Sequence, residues 1–327
     1  MSNDIKTQKG MTSGLQKFLA LGTLVILYVF FALFGKNFFS VATLVNILDS
    51  SYYIGFLAIG VTFVIITGGI DLSIGTVMMC GALLGGVAYN IWHWPIALAL
   101  VLAVIVSTLF GLMNGILVAK LKLPPFIATL GTMMVTMGFG AIMSKVMTMR
   151  YPTVTDPDGW FKFVFYKTPG GFPVGAAWLA AFFIVSFFIL NRTRLGRYTF
   201  AIGSNEEATR LSGVNADNWK IMVYVISGFF SGLAAIVYAS AYTSIIPGTG
   251  NGLELLAISG VVIGGTSLSG GIGTVSGTLI GVFIMSVLKQ GLMSMNLQGQ
   301  WQTFFTGIVV IGAVLLDTYR NSKSKGR

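Results

Sequence analysis

Ten stretches of this 327-residue chain are apolar over lengths that reach or approach the roughly 20 residues a helix needs to cross a hydrocarbon core. They run over residues 15–35, 41–67, 71–91, 95–119, 125–145, 174–190, 219–243, 253–264, 271–293 and 301–316. Only 9% of the chain is charged, against about 25% in a soluble domain. In lipid the backbone must satisfy its own hydrogen bonds, which leaves helices or closed barrels. A barrel needs short alternating segments, and these runs are continuously apolar. The pattern predicts an all-α polytopic membrane protein with about ten transmembrane helices. The eighth run is short and set among glycines, so it reads as a broken or partly re-entrant span. The second is interrupted by Asp49, Ser50, Ser51, Tyr52 and Tyr53, which marks a place for a kink or unwound turn.

The first fourteen residues are polar, and the run that follows is too long for a cleaved signal's apolar region. It reads as a retained span. The organisation is then a tail at 1–14, one membrane domain over 15–318 and a basic tail at 319–327. The single cysteine, Cys80, excludes an intrachain disulfide. His93, between Trp92 and Trp94, reads as an interfacial side chain in an aromatic belt.

Orientation follows from the cations. With the N-terminus in the cytoplasm, the inner set is Lys6, Lys9, Lys17, Lys120, Lys122, Arg192, Arg194, Arg197, Arg210, Lys220, Arg320, Lys323, Lys325 and Arg327. The outer set is Lys36, Lys145, Arg150, Lys162, Lys167 and Lys289. Fourteen against six fits the positive-inside rule. The net charge of +10 is therefore a topology signal and not a nucleic-acid footprint. Both termini are expected inside, and residues 147–173 form the longest outer segment.

One polar island, 191–220, interrupts the apolar chain. It carries three of the ten acidic residues, Glu206, Glu207 and Asp217, with Arg192, Arg194, Arg197, Arg210 and Lys220. Ser204 or Asn205 can cap a short helix whose acidic first turn suits the helix dipole, and Gly213 can end it. Such a helix docks on a soluble partner or lies on the membrane surface. Its acidic turn disfavours anionic lipid.

Other residues carry two readings each. Asp71 opens the third span as a cap or serves a pathway or gate, with Ser73 beside it. Glu254 is a helix-start anchor or a gate at the outer mouth. Asn46, Asp49, Ser51 and Tyr53 suit a polyhydroxylated solute or hydrogen bonds between helices. Gly273, Gly277 and Gly281 form a small-residue face for internal packing or for a dimer seam. The segment from Gly68 (GGIDLSIG) echoes that from Gly264 (GGTSLSGG), which reads as a parallel internal repeat, with chance similarity of glycine-rich segments as the competing reading. No phosphate loop, metal-binding helix motif, nucleophile elbow or cysteine cluster occurs in the sequence. No catalytic constellation is present.

Four motifs together resemble the permease subunits of bacterial ABC importers for monosaccharides, the ribose/galactose type. They are ITGGIDLSIG (66–75), PPFIATLGTM (124–133), RTRLGRYTFAIGSNEEATRLSGVN (192–215) and VVIGGTSLSGGIGTVSGTLIG (261–281). The similarity spans roughly residues 20–318 and looks nearest to ribose permeases, though subfamilies for allose, xylose, galactofuranose and autoinducer-2 share the motifs. The resemblance implies a type II importer fold of the cobalamin-permease kind in the bacterial inner membrane. It implies a second permease chain, identical or paralogous, and two cytoplasmic ATPase subunits that hold ATP and Mg. A periplasmic or lipid-anchored binding protein would deliver the sugar. It also implies that Glu206, Glu207, Ala208, Thr209, Arg210 and Leu211 match the core of a coupling helix that docks in the ATPase. A self-contained secondary carrier or facilitator is the competing function.

Overall fold

A computed structural model describes the backbone of residues 2–325 and the side chains of residues 18–312, 314–315 and 317–319. Lys6, Lys9, Lys17, Arg320, Lys323, Lys325 and Arg327, all used for orientation, lie outside the described side chains. In chain order the elements are α1 (Ser2–Phe34), α2 (Val41–Ile66), α3 (Ile74–Asn90), α4 (Ile96–Ala119), α5 (Pro125–Met143), β1 (Met149–Arg150), α6 (Trp160–Phe165), α7 (Val174–Arg192), α8 (Arg194–Ser204), α9 (Glu206–Leu211), α10 (Ala216–Ala241), β2 (Ser244–Ile245), α11 (Leu253–Ile263), α12 (Val275–Ser294) and α13 (Gly299–Lys325).

Among the described residues, seven helices are long and apolar enough to cross a membrane: α2, α4, α5, α7, α10, α12 and the 299–319 part of α13. The other three predicted spans correspond to shorter apolar helices, Phe18–Phe34, Ile74–Asn90 and Leu253–Ile263. α2 is the central post. From Ser50 to Ile66 every residue is buried, because α10, α11, α12 and α7 pack around it. By contrast α5 and α13 leave most of their apolar surface open, with Phe126, Met134 and Ile142 exposed on one and Phe304, Ile311 and Leu315 on the other.

The expected kink in α2 is absent. The helix runs unbroken through Asp49–Tyr53 because Ser50 and Ser51 spend their hydroxyls locally, each donating to Ile47 O, at 3.0 and 2.7 Å. A serine bonded back to its own helix needs no break in it.

Small residues set the closest helix contacts. A Cβ at Gly281 would lie 1.8 Å from Gly260 O, and one at Gly277 2.0 Å from Gly264 O. α12 therefore presses backbone to backbone on α11. Gly273 lies in the turn before α12, where a Cβ would meet Ile66 Cγ1 at 2.6 Å. All three glycines serve packing within this chain. Gly111 and Gly228 join α4 to α10 in the same way, with a Cβ on either reaching the other's Cα at 2.8 Å.

α11 is a short helix. The segment before it leaves β2 and dips into the bundle, so that Gly250 O would lie 2.5 Å from a Cβ on Gly75. Glu254 Oε2 would lie 2.8 Å from that same Cβ. Glu254 is thus buried against the first turn of α3, and it sits in the first turn of α11, where the helix-start reading placed it.

The two ends of the bundle differ. At one end, β1 pairs antiparallel with β2, and residues 151–173 with α6 form a cap. Tyr151 Oη donates to Ala82 O at 2.7 Å, Lys162 Nζ to Ser240 O at 2.9 Å and Tyr166 Oη to Asp49 Oδ2 at 2.7 Å. At the other end, α8 and α9 project as a short helical pair below α2 and α10.

Candidate functional site

The polar island folds as two helices where the sequence reading found one. Thr193 caps α8, its hydroxyl accepting from Gly196 N. Gly196, Thr199 and Ile202 of α8 are buried, whereas Arg194 and Arg197 are exposed. Three-to-four-residue spacing of the inward side, joined by Leu195 and Tyr198, was the available signal for α8. Asn205 then caps α9, accepting from Ala208 N at 2.9 Å. Gly213, at φ +81°, ends the turn after it in a conformation that glycine adopts without cost.

An ion network moors α9. Arg210 donates to Glu206 at 2.8 Å and also pairs with Asp217. Lys220 pairs with Glu206, and Lys122, from the loop before α5, donates to Asp217 at 2.7 Å. Hydrogen bonds from Arg210, ahead of those from Lys122, hold the Asp217 carboxyl down to about 2. At Glu206 burial pushes the carboxyl up, but bonds from Lys220 and Arg210 outweigh it and the net shift is downward. Both carboxyls are depressed in the folded protein, so their pairing is fully present above the ordinary carboxylate range. It is lost only as pH falls through it toward about 2.

This mooring sorts the six predicted docking residues. Glu206 and Arg210 are engaged within the chain, and Thr209 is buried. Glu207, Ala208 and Leu211 face outward on one side of the helix, and Leu211 is 85% exposed. Leu211 thus stands open at the tip of a charged, well-anchored helix.

Above α9 lies a buried polar chain. Asp71, 2% exposed, accepts from Ser73 N at 3.0 Å, Ser73 Oγ at 2.7 Å and Ser227 Oγ at 2.9 Å. Asn114 Nδ2 donates to Ser73 Oγ at 2.8 Å, and Thr132 Oγ1 donates to Asn114 Oδ1 at 2.6 Å. α3 begins at Ile74 with Ser73 in the cap position, so Asp71 does not itself open the helix. It ties the α2–α3 loop to α4 and α10.

The remaining predicted pathway residues are scattered. Asn46 is exposed near the start of α2, and Ser51 is buried and bonded to its own helix. Asp49 binds the cap through Tyr166 and, at 3.8 Å, Lys167. Tyr53 packs edge-on against Tyr238, with Lys289 Nζ 3.4 Å from its hydroxyl. Asp71 and Ser73 lie together; Glu254 is on the far side of α3's first turn, with Oε1 bonded to Gly252 N at 2.8 Å and Oε2 unpartnered. Of these seven, Asp49 and Tyr53 both lie near Tyr242, and Asp71 and Ser73 form a separate buried pair.

Comparison with known proteins assigns the architecture. The family model described as branched-chain amino acid transport system / permease component matches residues 43–314. The ribose import permease protein of Haemophilus influenzae is 38% identical over 92% of this chain and 92% of its own length. That of Bacillus subtilis is 37% identical over 96% and 95%, and the fructose import permease protein of Rhizobium meliloti 33% identical over 90% and 82%. A match across almost the whole chain at these identities makes the protein a member of the ABC-importer permease family, on its sugar-importing side.

Proposed function

We propose that the chain is the membrane subunit of an ATP-driven monosaccharide importer in the bacterial inner membrane, with ribose or a similar sugar as cargo. Two permease chains, identical or paralogous, enclose the pathway between them. Cytoplasmic ATPase subunits, which hold ATP and Mg, power it, and a binding protein delivers sugar to the capped end. The observation that carries this reading is α9. Its root is locked by five charged groups while Glu207, Ala208 and Leu211 stand free. A rigid strut with an apolar tip passes force, whereas a loosely held loop would absorb it.

The pathway then alternates between outward and inward openings as the two α9 struts change separation. Tight sugar binding by the permease is unnecessary where a binding protein supplies the affinity. This reading assigns no catalytic group to the chain and makes it the non-catalytic subunit.

The test uses the full complex. Leu211→Asp and Glu207→Lys are expected to lower co-purification of the ATPase about tenfold or more, the loss of a small interface's central contacts. Permease abundance in the membrane should not change. Uphill uptake in vesicles without ATP or ATPase would overturn the reading in favour of a self-contained carrier.

A further inference from the structure

Three backbone segments meet at Gly203, the penultimate residue of α8. A Cβ there would lie 1.8 Å from Ile66 O, at the last residue of α2, and 2.5 Å from Gly271 N, in the α11–α12 loop. Those two segments are themselves joined, since Gly271 N donates to Ile66 O at 2.8 Å. Gly270 completes the junction: a Cβ on it would lie 2.9 Å from both Gly203 O and Gly68 N. A Cβ on Gly271 would lie 3.2 Å from Ser204 Cα. Gly68, Gly270 and Gly271 all hold positive φ, at 77°, 82° and 75°. The end of α8, the α2–α3 loop and the α11–α12 loop therefore touch backbone to backbone at Gly203 and Gly270, with the Ser204 hydroxyl at the edge, 2.8 Å from a Cβ on Gly271.

Side chains between moving parts can swing to a new rotamer and take up a displacement. A contact made of main chain has no such freedom, and close-packed interiors transmit strain. Gly203 lies two residues before Asn205, the cap of α9. α9 is joined to Gly203 through Ser204 and Asn205 alone, so a displacement of α9 bears on Gly203 and on both loops.

We infer that Gly203 is a positioning residue through which a displacement of α9 reaches the α2–α3 and the α11–α12 turns together. This rests on α9 being the ATPase-docking strut, and adds where its motion goes. A methyl group at 203 would wedge the junction open and leave the outward face of α9 unaltered. Docking and ATP hydrolysis then survive, and the link to the membrane helices fails.

The experiment compares wild type with Gly203→Ala in proteoliposomes holding the permease, its ATPase and its binding protein. Gly203→Ala is expected to retain the ATPase and its hydrolysis while sugar moved per ATP falls about tenfold. Gly22→Ala, where no atom lies within 4 Å of the new methyl, should match wild type. An unchanged ratio in Gly203→Ala overturns the inference. So does a fall in hydrolysis and uptake by the same factor, which is what a merely structural glycine gives. If Gly203→Ala does not assemble, hydrogen exchange decides on the wild-type complex. The peptide carrying Gly271 should change its exchange rate about tenfold with ATP, and only when the ATPase is bound; an unchanged rate overturns the inference. A wild-type complex that imports without ATP would instead sink the docking reading and leave nothing to uncouple.

Discussion

The two glycine-rich loops end their helices alike and are then held in different ways. After α2, Gly68 N donates to Ile65 O at 2.9 Å and Gly69 N to Val64 O at 3.2 Å; after α11, Gly265 N donates to Val262 O at 2.9 Å and Thr266 N to Val261 O at 3.2 Å. Both are Schellman ends with a glycine at positive φ. The structural partner of Gly68 is Gly265, one residue out of the register that the sequence echo implied. Beyond the turn the loops part, with seven residues (67–73) before α3 and eleven (264–274) before α12. The first is fastened by Asp71 to Ser73 and Ser227, and by Tyr224 Oη, which donates to Ile70 O at 3.2 Å. The second has Asp317 of α13, whose Oδ2 accepts from Leu268 N at 3.1 Å. One loop is bolted to the most buried part of the bundle and the other to a helix whose apolar surface is largely open. The first loop is thus held by buried side chains of α10, and the second by one carboxylate of α13 together with the Gly271 N bond to Ile66 O.

Breaking the fixed side should have the largest effect. Asp71→Ala removes the acceptor for Ser73 and Ser227 in a site that water does not reach. With about 1–3 kcal/mol for each buried donor left unpaired, partly relieved by rearrangement, the loss is roughly 2–4 kcal/mol. It should appear as a much lower melting temperature in detergent and little folded protein. Asp71→Asn keeps Oδ1 for Ser73 and can donate to Ser227 Oγ, so it should cost less than about 1 kcal/mol. If Asp71→Ala melts like wild type, the first loop is not fastened as described. If Asp71→Asn melts normally but loses uptake, the charge has a transport role beyond its hydrogen bonds.

The next test bears on the short helix α11 that carries the second loop. Gly281→Ala forces a methyl onto Gly260 O, backbone that cannot turn aside, and should destabilise by about 1–3 kcal/mol. Gly138→Ala on α5 has open space around it and should leave stability unchanged or slightly raised. Equal melting temperatures for the two would mean that α11 and α12 separate more easily than their contact implies.

Much of this was legible in the sequence, for identifiable reasons. Apolar runs locate helices because lipid leaves the backbone no other option, so α2, α4 and α12 begin within a few residues of where periodicity and turn residues put them. Asn205 and Gly213 announced the ends of α9 through ordinary cap chemistry. What stayed hidden depends on contacts far apart in the chain. Lys122 and Asp217 are 95 residues apart, and Asp317 lies 49 residues beyond the Leu268 amide that it holds. Nothing local marks either pair. Glu254 does start α11, as a carboxylate after a glycine run suggests, but the glycine run also looks like a surface turn. The chain instead dips inward before α11 begins, and no local pattern distinguishes the two. Ser50 and Ser51 misled, since a polar break in sequence is no break in a helix once each hydroxyl bonds the preceding turn.

The smallest expected effect is the sharpest on the difference between the loops. Asp317→Ala removes the acceptor for Leu268 N at a half-buried position, where water can replace it, so global stability should fall by less than about 1 kcal/mol. The local effect should be larger than the global one. Exchange of the Leu268 amide is expected to rise about tenfold, the factor that 1.4 kcal/mol of lost local protection would give. Amides of residues 67–73 should not respond, because Asp71, Tyr224 and Ser227 hold that loop without help from α13. Acceleration in both loops together would mean that the junction at Gly203 binds them into one unit even at rest. The second loop would then move only with the first, and any separate displacement would have to lie in α11 and α12 as a whole.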